Sequence, residues 1–382
     1  VIDKGNAAPI DQYWMGYAAE LARRGWYSSP PNPRVGCVLV RNNRMLGEGW
    51  HAVTGGAHAE RAALADVKKN GGRAQNATAY VTLEPCCVQG RTPPCTDALI
   101  KAGIARVVIG SLDPNPAVHG GGAQALHEAG IQVTTRVNES ACMALNPGFD
   151  KRMRTGMPRL RIKMALTLDG RIAAANGESQ WLTGRAARTD GHRLRAECGA
   201  VLVGRGTLTA DDPELSVRLP GHGWRQPRPV VVDRELAITS DARLVDSERG
   251  PVIFTLADNT KRAAELKAKG AHIHCVAAQT GGLDLEAILH TLASDYAIND
   301  VLVEAGPTLS GALVEQNLVD GFVFYMAPKL LGNGGRGALD LPGVDSLSAA
   351  RDLVIERVDP VGPDWRITAK PKPTSSSCLP ES

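Results

Sequence analysis

Aromatic residues make up only 4% of the chain, so its cores must rest on Ala, Val, Leu and Ile. An excess of one charge is lacking too: 43 Lys and Arg stand against 40 Asp and Glu, a net +3. So even a balance gives no whole-molecule attraction to nucleic acid or to an anionic membrane, and leaves room only for a local basic pocket that fits a phosphate. No apolar run approaches the ~18 residues of a membrane span. Val1-Ile2-Asp3-Lys4-Gly5-Asn6 has no basic stretch followed by an apolar one, so no signal peptide is expected. A secreted disulfide pattern is missing as well. Of the eight cysteines, Cys86, Cys87 and Cys95 crowd together while Cys37, Cys142, Cys198, Cys275 and Cys378 are scattered. In a reducing cytosol such a cluster suits metal binding.

What is present reads as an ordinary globular chain: 382 residues, 43% hydrophobic and 22% charged. That length suggests two domains, each able to bury its own core. The first half alternates strand and helix signals: a helix over 10–24, a hairpin of Val35–Val40 with Met45–His51, and a helix over 58–70. A strand follows at Ala79–Leu83, a helix at Thr96–Ala102, a strand at Arg106–Ile109, a helix at Ala123–Ala129 and a strand at Gln132–Val137. Alternation of this length predicts a three-layer α/β domain over 9–150. The basic run 151–158, ending in Pro158, reads as the linker. A second α/β domain is expected over 159–370, with strands at Arg159–Leu168, Ala200–Val203, Pro229–Val232, Val252–Thr255, Val301–Glu304 and Phe322–Met326. Helices are expected over 185–196 and 260–269. The Pro- and Ser-rich tail, 371–382, reads as disordered.

The most informative stretch is His58-Ala59-Glu60, followed by Pro85-Cys86 and, nine residues after Cys86, by Cys95. One imidazole and two thiolates suit zinc, and three protein ligands leave a fourth position for water, whose pKa the metal brings near neutrality. Glu60, kept out of the ligand set, is a carboxylate able to take a proton from that water and pass it to a leaving amine. Residues i and i+2 of a helix point about 200° apart, so His58 and Glu60 converge only if His58 stands at the helix entrance. Cys95 opens a predicted helix, where the positive dipole end favours a thiolate. A closed structural zinc site with Cys87 as fourth ligand, or no metal at all, fits the same residues. The zinc-deaminase signature has its second cysteine three residues after the first; the longer insert here argues against the simplest nucleobase deaminases.

Taken in order, Pro31-Asn32-Pro33-Arg34-Val35-Gly36-Cys37-Val38, Gly49-Trp50-His51, His58-Ala59-Glu60, and Thr82-Leu83-Glu84-Pro85-Cys86 through Gly90-Arg91-Thr92-Pro93-Pro94-Cys95 resemble the bifunctional deaminase–reductase family of riboflavin biosynthesis. The resemblance implies a cytidine-deaminase-like first domain that removes the 2-amino group of 2,5-diamino-6-ribosylamino-4(3H)-pyrimidinone 5′-phosphate. It implies His58, Cys86 and Cys95 as zinc ligands, Glu60 as proton shuttle, and Asn32 and His51 near the pyrimidine. Three positions depart from the family pattern. Pro31 stands where a His commonly precedes the Asn-Pro turn, and Cys87-Val88 where Ser-His is common.

The second half is weaker when read from its residues alone. Val301–Gly311 is a strand, a Gly-Pro turn and a helix, which offers N–H groups to a phosphate but lacks the Gly-x-Gly-x-x-Gly fingerprint. An ordinary strand–helix connection fits it equally. The Asp211-Asp212-Pro213 turn and the loop Leu331–Gly337 are common features.

The resemblance nevertheless continues through Lys163–Ala173, Gly177–Thr183, Thr207–Pro213 with Arg218, and Val303–Leu309. It implies a dihydrofolate-reductase-like domain that transfers hydride from NADPH to the sugar C1′, opening the ribose to a ribityl chain. Ala165, Trp181, Thr207, Asp211, Gly306, Pro307 and Thr308 are then implied near the nucleotide. Ser179, Arg195, Leu215, Arg218 and Glu304 are implied near the substrate; Lys163 and Glu304 are the candidates for proton transfer. Arg234 stands where the family often carries a serine. The expected cofactors are one zinc per chain and NADPH. The expected partners are a pyrimidine ribosyl phosphate and further copies of the chain, with no nucleic acid and no membrane, in the cytoplasm. Two rivals remain at this stage. One is a nucleic-acid base deaminase, which needs a basic cleft; the other is a zinc- and nucleotide-binding protein decayed at Pro31 and Val88.

Overall fold

In the computed structural model, the described residues are 2–4, 8–89, 93–256, 260–279 and 282–373. The chain divides into two compact units, Val1–Met157 and Pro158–Ser382.

In the first unit the chain order is β1 (Ile2–Lys4), α1 (Pro9–Arg23), β2 (Gly36–Arg41), β3 (Arg44–Trp50), α2 (Ala59–Lys69), β4 (Thr78–Leu83), α3 (Cys95–Lys101), β5 (Arg106–Ser111), α4 (Gly121–Glu128), β6 (Gln132–Thr135), α5 (Glu139–Met143) and α6 (Pro147–Thr155). The sheet runs β1-β6-β5-β4-β2-β3. Strand β4 is parallel to β5 and antiparallel to β2, which pairs with β3 as a hairpin. Asn42 and Asn43 link that hairpin with positive φ, 51° and 57°, which asparagine tolerates and a two-residue turn of this hand requires.

Alternate side chains of the strands fill two cores. Cys37, Leu39, Val81, Val107 and Ile109 meet α2, α3 and α4; Val38, Val40, Tyr80 and Val108 meet α1 and α5. A Cβ on Gly49 would collide with the backbone of Ala59 and Ala63, so glycine there lets α2 lie directly on β3. The basic run 151–155, expected as linker, is instead the end of α6 and stops at Gly156 with φ 71°.

In the second unit the order is β7 (Arg159–Thr167), β8 (Arg171–Ala173), α7 (Arg185–Glu197), β9 (Ala200–Gly204), α8 (Arg205–Asp211), β10 (Arg228–Val232), β11 (Val252–Thr255), α9 (Thr260–Ala268), β12 (His272–Cys275), β13 (Ala278–Gln279), β14 (Gly282–Leu283), α10 (Leu285–Ser294), β15 (Asp300–Val303), α11 (Pro307–Glu315), β16 (Gly321–Ala327), β17 (Arg336–Gly337), β18 (Leu353–Val361) and β19 (Asp364–Pro371). Its main sheet runs β12-β11-β10-β9-β15-β7-β16-β19-β18. The first seven strands are parallel and β19 and β18 antiparallel. After β9 the chain steps outward to β12, then returns to insert β15 beside β9. That reversal opens a crevice at the carboxyl ends of β9 and β15, the usual ligand position in open α/β sheets.

Helix α8 takes in Thr207–Asp211, and the expected acidic turn follows at its end, where Asp212 is left-handed. The hairpin β18–β19 had no counterpart among the predicted strands. Of the tail, 374–382 lie outside the described residues. No helix among the described residues is long and apolar enough to cross a membrane.

Candidate zinc and nucleotide sites

His58 is the N-cap of α2, extended at φ −69° and ψ 159°, so its ring turns back from the helix while Glu60 enters the first turn. The condition set by the i, i+2 spacing is thus met. Strand β4 runs out into Glu84-Pro85-Cys86, and Cys95 is the first residue of α3, its N–H donating to the Cys86 carbonyl at 3.0 Å. His58 Nδ1 lies 3.6 Å from Cys86 Sγ and 3.3 Å from Cys95 Sγ. All three donors lie within 4.8 Å of one another, the one such group among the described residues. The hydrogen bond from Cys95 holds Cys86 low, at about 4, and the same contact pushes Cys95 up. A nitrogen and two sulfurs already gathered around one point, one sulfur poised to ionise, fit zinc.

Cys87 does not close the site: its Sγ faces Gly121, 3.1 Å from where a Cβ there would stand. His51 is committed elsewhere. Its buried ring donates from Nδ1 to the Ala57 carbonyl at 3.0 Å, so Nε2 accepts from Asn32 Nδ2 at 3.1 Å. Burial lowers its pKa and keeps it neutral. The His51 ring stands edge-on to the His58 ring, centroids 5.6 Å apart, and holds the Asn32 amide through Nε2. Glu60 is 3% exposed, and burial pushes its carboxyl up.

Two supports were not apparent from the sequence. Glu84, also buried, accepts from the N–H groups of Asp113, Gly120 and Ala123 at 3.0–3.1 Å, tying the loop after β5 and the start of α4 to the Cys86 turn. Arg61 donates to the carbonyls of Pro93 and Pro94 at 2.9 and 3.0 Å, holding the approach to Cys95. An acid between an apolar strand and a proline was the available signal for the first; nothing local pointed to the second. Val88 is exposed. Gly90, Arg91 and Thr92 of the motif lie outside the described residues.

In the second unit a cavity of about 780 Å³ occupies the crevice. Thr207, Asp211, Gly306, Pro307 and Thr308, all expected near a nucleotide, line it, together with Ser179 and Glu304 from the expected substrate set. Gly306 is the N-cap of the nine-residue α11, whose free N–H groups and dipole favour an anion. The chemistry of this wall, backbone donors beside Thr207 and Thr308 hydroxyls, fits a dinucleotide diphosphate.

Glu304 takes a bidentate pair of bonds from Arg195, 2.7 and 3.0 Å, and has Lys163 Nζ at 3.6 Å. Burial would raise its carboxyl, but Arg195 and Lys163 outweigh that and hold it down at about 2. Ala165 shares a face of β7 with Lys163. Arg218 is exposed and bonded to Glu214 and Ser216; its N–H reaches His192 Nδ1 at 3.3 Å. Trp181 stands exposed with Arg188 stacked 4.6 Å from its ring. Leu215 packs its side chain into the core of the sheet, so a substrate can meet only its backbone.

Comparison with known proteins covers both halves. Residues 9–111 match the family described as cytidine and deoxycytidylate deaminase zinc-binding region, and residues 158–366 match the RibD C-terminal domain. The riboflavin biosynthesis protein RibD of Escherichia coli K12 is 43% identical over 365 residues, covering 93% of this chain and 97% of that protein. Among solved structures, Acinetobacter baumannii RibD superposes with a TM-score of 0.88 at 40% identity, covering 95% of this chain and 99% of that one. The diaminohydroxyphosphoribosylaminopyrimidine deaminase/5-amino-6-(5-phosphoribosylamino)uracil reductase of Thermotoga maritima does so at 0.83 and 31% identity, with the same coverage. The chain belongs to the RibD family of bifunctional riboflavin-biosynthesis enzymes, a zinc-dependent cytidine-deaminase-like domain followed by an NADPH-dependent reductase domain of dihydrofolate-reductase-like fold.

Proposed function

We propose that His58, Cys86 and Cys95 hold the zinc and that Glu60 moves the proton in the deamination of 2,5-diamino-6-ribosylamino-4(3H)-pyrimidinone 5′-phosphate. The gathering of those three donors, with Glu60 buried one residue past His58, is the observation that carries the reading. When bound, zinc supplies Lewis acidity that makes water a nucleophile near neutral pH. Asn32 and His51 hold the pyrimidine edge, His51 through Asn32. Glu60 takes a proton from the attacking water and delivers it to the 2-amino nitrogen, which leaves as ammonia. Its burial shields that transfer from bulk solvent.

In the reductase domain NADPH supplies the hydride that reaches C1′. The chain's own part is to bind, orient and protonate. Gly306, Pro307, Thr308, Thr207 and Asp211, with Ala165 and Trp181, bind the nucleotide. Ser179, Arg195, Arg218 and the Leu215 backbone bind the ribosyl phosphate, for which a guanidinium offers bidentate contact. Lys163, 3.6 Å from Glu304, gives a proton to the ribose ring oxygen as the ring opens. The C1′–nitrogen linkage thereby becomes a protonated imine, the electrophile that accepts hydride, and the product is 5-amino-6-ribitylamino-uracil 5′-phosphate.

The enzyme would work in the cytoplasm, consistent with free thiols at all seven described cysteines. It would work as a homo-oligomer, in which a second copy covers exposed Leu353, Ile355 and Val358 on β18.

Chelation tests the division of labour. Zinc-stripped protein should release no ammonia from the diaminopyrimidine substrate, yet still oxidise NADPH when given the deaminated intermediate. Ammonia release surviving complete zinc removal would refute the reading.

A further inference from the structure

Asn146 is the N-cap of α6, and the roles above leave it unused. An asparagine at a helix N-cap ordinarily turns its side chain onto the first free N–H groups of the helix. Here the backbone does its part, the Asn146 carbonyl accepting from Asp150 N–H at 2.9 Å, but the side chain makes no capping bond. Both ends of its amide go instead to the main chain of Arg34, 112 positions away. Oδ1 accepts from Arg34 N–H at 2.7 Å, and Nδ2 donates to the Arg34 carbonyl at 2.9 Å. Asn146 and Arg34 are both buried.

The grip is double. Arg34 Nη1 donates to the Leu145 carbonyl at 2.9 Å and Nε to the Trp26 carbonyl at 3.0 Å, while the guanidinium stacks 4.3 Å from the Trp26 ring. Functional groups lie on either side of the residue so held. Two positions before Arg34 stands Asn32, whose Nδ2 donates to His51 Nε2 at 3.1 Å. One position after it, the Val35 carbonyl accepts the His51 N–H at 2.9 Å. Between Asn32 and Arg34 lies only Pro33. A proline fixes its own φ and confines the residue before it to extended backbone, so few soft torsions separate the clamp from the Asn32 side chain.

We infer that Asn146 is a positioning residue of the deaminase: through the Arg34 main chain it sets where Asn32 stands against the pyrimidine. The inference rests on the reading that gives Asn32 to the substrate. Serine or aspartate would cap α6 as well. An amide, donor and acceptor in one plane, is what the Arg34 N–H and carbonyl require together. Its loss leaves both buried groups unpaired, and the segment that carries Asn32 is no longer held.

The test is steady-state deamination by the full chain, with zinc content and reductase turnover measured on the same samples. Asn146→Ala should raise the KM for the diaminopyrimidine substrate by about tenfold, the effect of one lost substrate hydrogen bond, with kcat, zinc and NADPH oxidation close to wild type. Asn146→Ser can cap α6 but cannot bond both Arg34 groups. It should therefore show the same rise in KM with a higher melting temperature than Asn146→Ala. Asn32→Ala should raise KM at least as much, and adding Asn146→Ala to it should raise KM little further, because one residue acts through the other. An unchanged KM with zinc and turnover lost together, or KM effects that multiply in the double variant, would overturn the inference while leaving Asn32 on the substrate. An unchanged KM in Asn32→Ala would overturn both that reading and the inference.

Discussion

Glu60→Gln should abolish ammonia release, by about a thousandfold or more, while the protein keeps its zinc. Gln matches the shape of the buried side chain but cannot accept a proton, and positioned proton transfer contributes roughly 10²–10⁴ to rate. The ligand donors His58 Nδ1, Cys86 Sγ and Cys95 Sγ are untouched by the change. NADPH oxidation on the deaminated intermediate should continue at the wild-type rate, which separates loss of a proton carrier from loss of the enzyme. Deamination within tenfold of wild type would remove Glu60 from the mechanism. Loss of zinc from the variant would instead make Glu60 a ligand.

The second large effect lies at Glu304. Its carboxylate is compensated by Arg195 and Lys163 and held at about 2, against an ordinary value of 4.5. A carboxylate with a depressed folded-state pKa contributes stability that is complete above about pH 5 and is lost as pH falls towards 2. At about 1.4 kcal/mol per pH unit, the drop from 4.5 to about 2 corresponds to roughly 3 kcal/mol. Urea unfolding of the reductase unit between pH 6 and pH 3 should show most of this loss in wild type and far less in Glu304→Gln. Arg195→Ala should cost the unit about 3–5 kcal/mol even at pH 7, because it strands a buried charge, and should raise the substrate KM of the reductase. Parallel acid loss in wild type and Glu304→Gln would show that another group titrates.

The candidate metal donors of the deaminase domain were legible in the sequence because they sit where local signals are strong. The His-x-Glu spacing demanded a helix entrance, and the structure puts His58 at the cap. Cys95 was expected to open a helix, and it is the first residue of α3. The strand runs at Ala200, Pro229, Val252 and Val301 were legible because parallel strands buried on both faces read as unbroken apolar segments.

The rest depended on distant partners. Arg195 and Glu304 are 109 positions apart, so only the fold reveals their pairing. The β18–β19 hairpin was hidden because its outer strand is largely exposed and carries Glu356, Arg357, Asp359 and Pro360, which break the apolar alternation expected of a strand. A strand protected from edge-to-edge pairing by charge reads locally as a loop. The basic stretch 151–155 reads as a linker for a similar reason. Its helix, α6, buries only Gly148 and Phe149, ahead of the charges.

The central claim is a metal held by three protein donors with a fourth position left to solvent. Zinc-edge X-ray absorption on the protein as purified tests it most directly. The account predicts one zinc per chain with two sulfurs at about 2.3 Å and two nitrogen or oxygen ligands at about 2.0–2.1 Å, unchanged in Cys87→Ser. A third sulfur that disappears in Cys87→Ser would contradict it, because the site would then be closed by Cys87 and could not activate water.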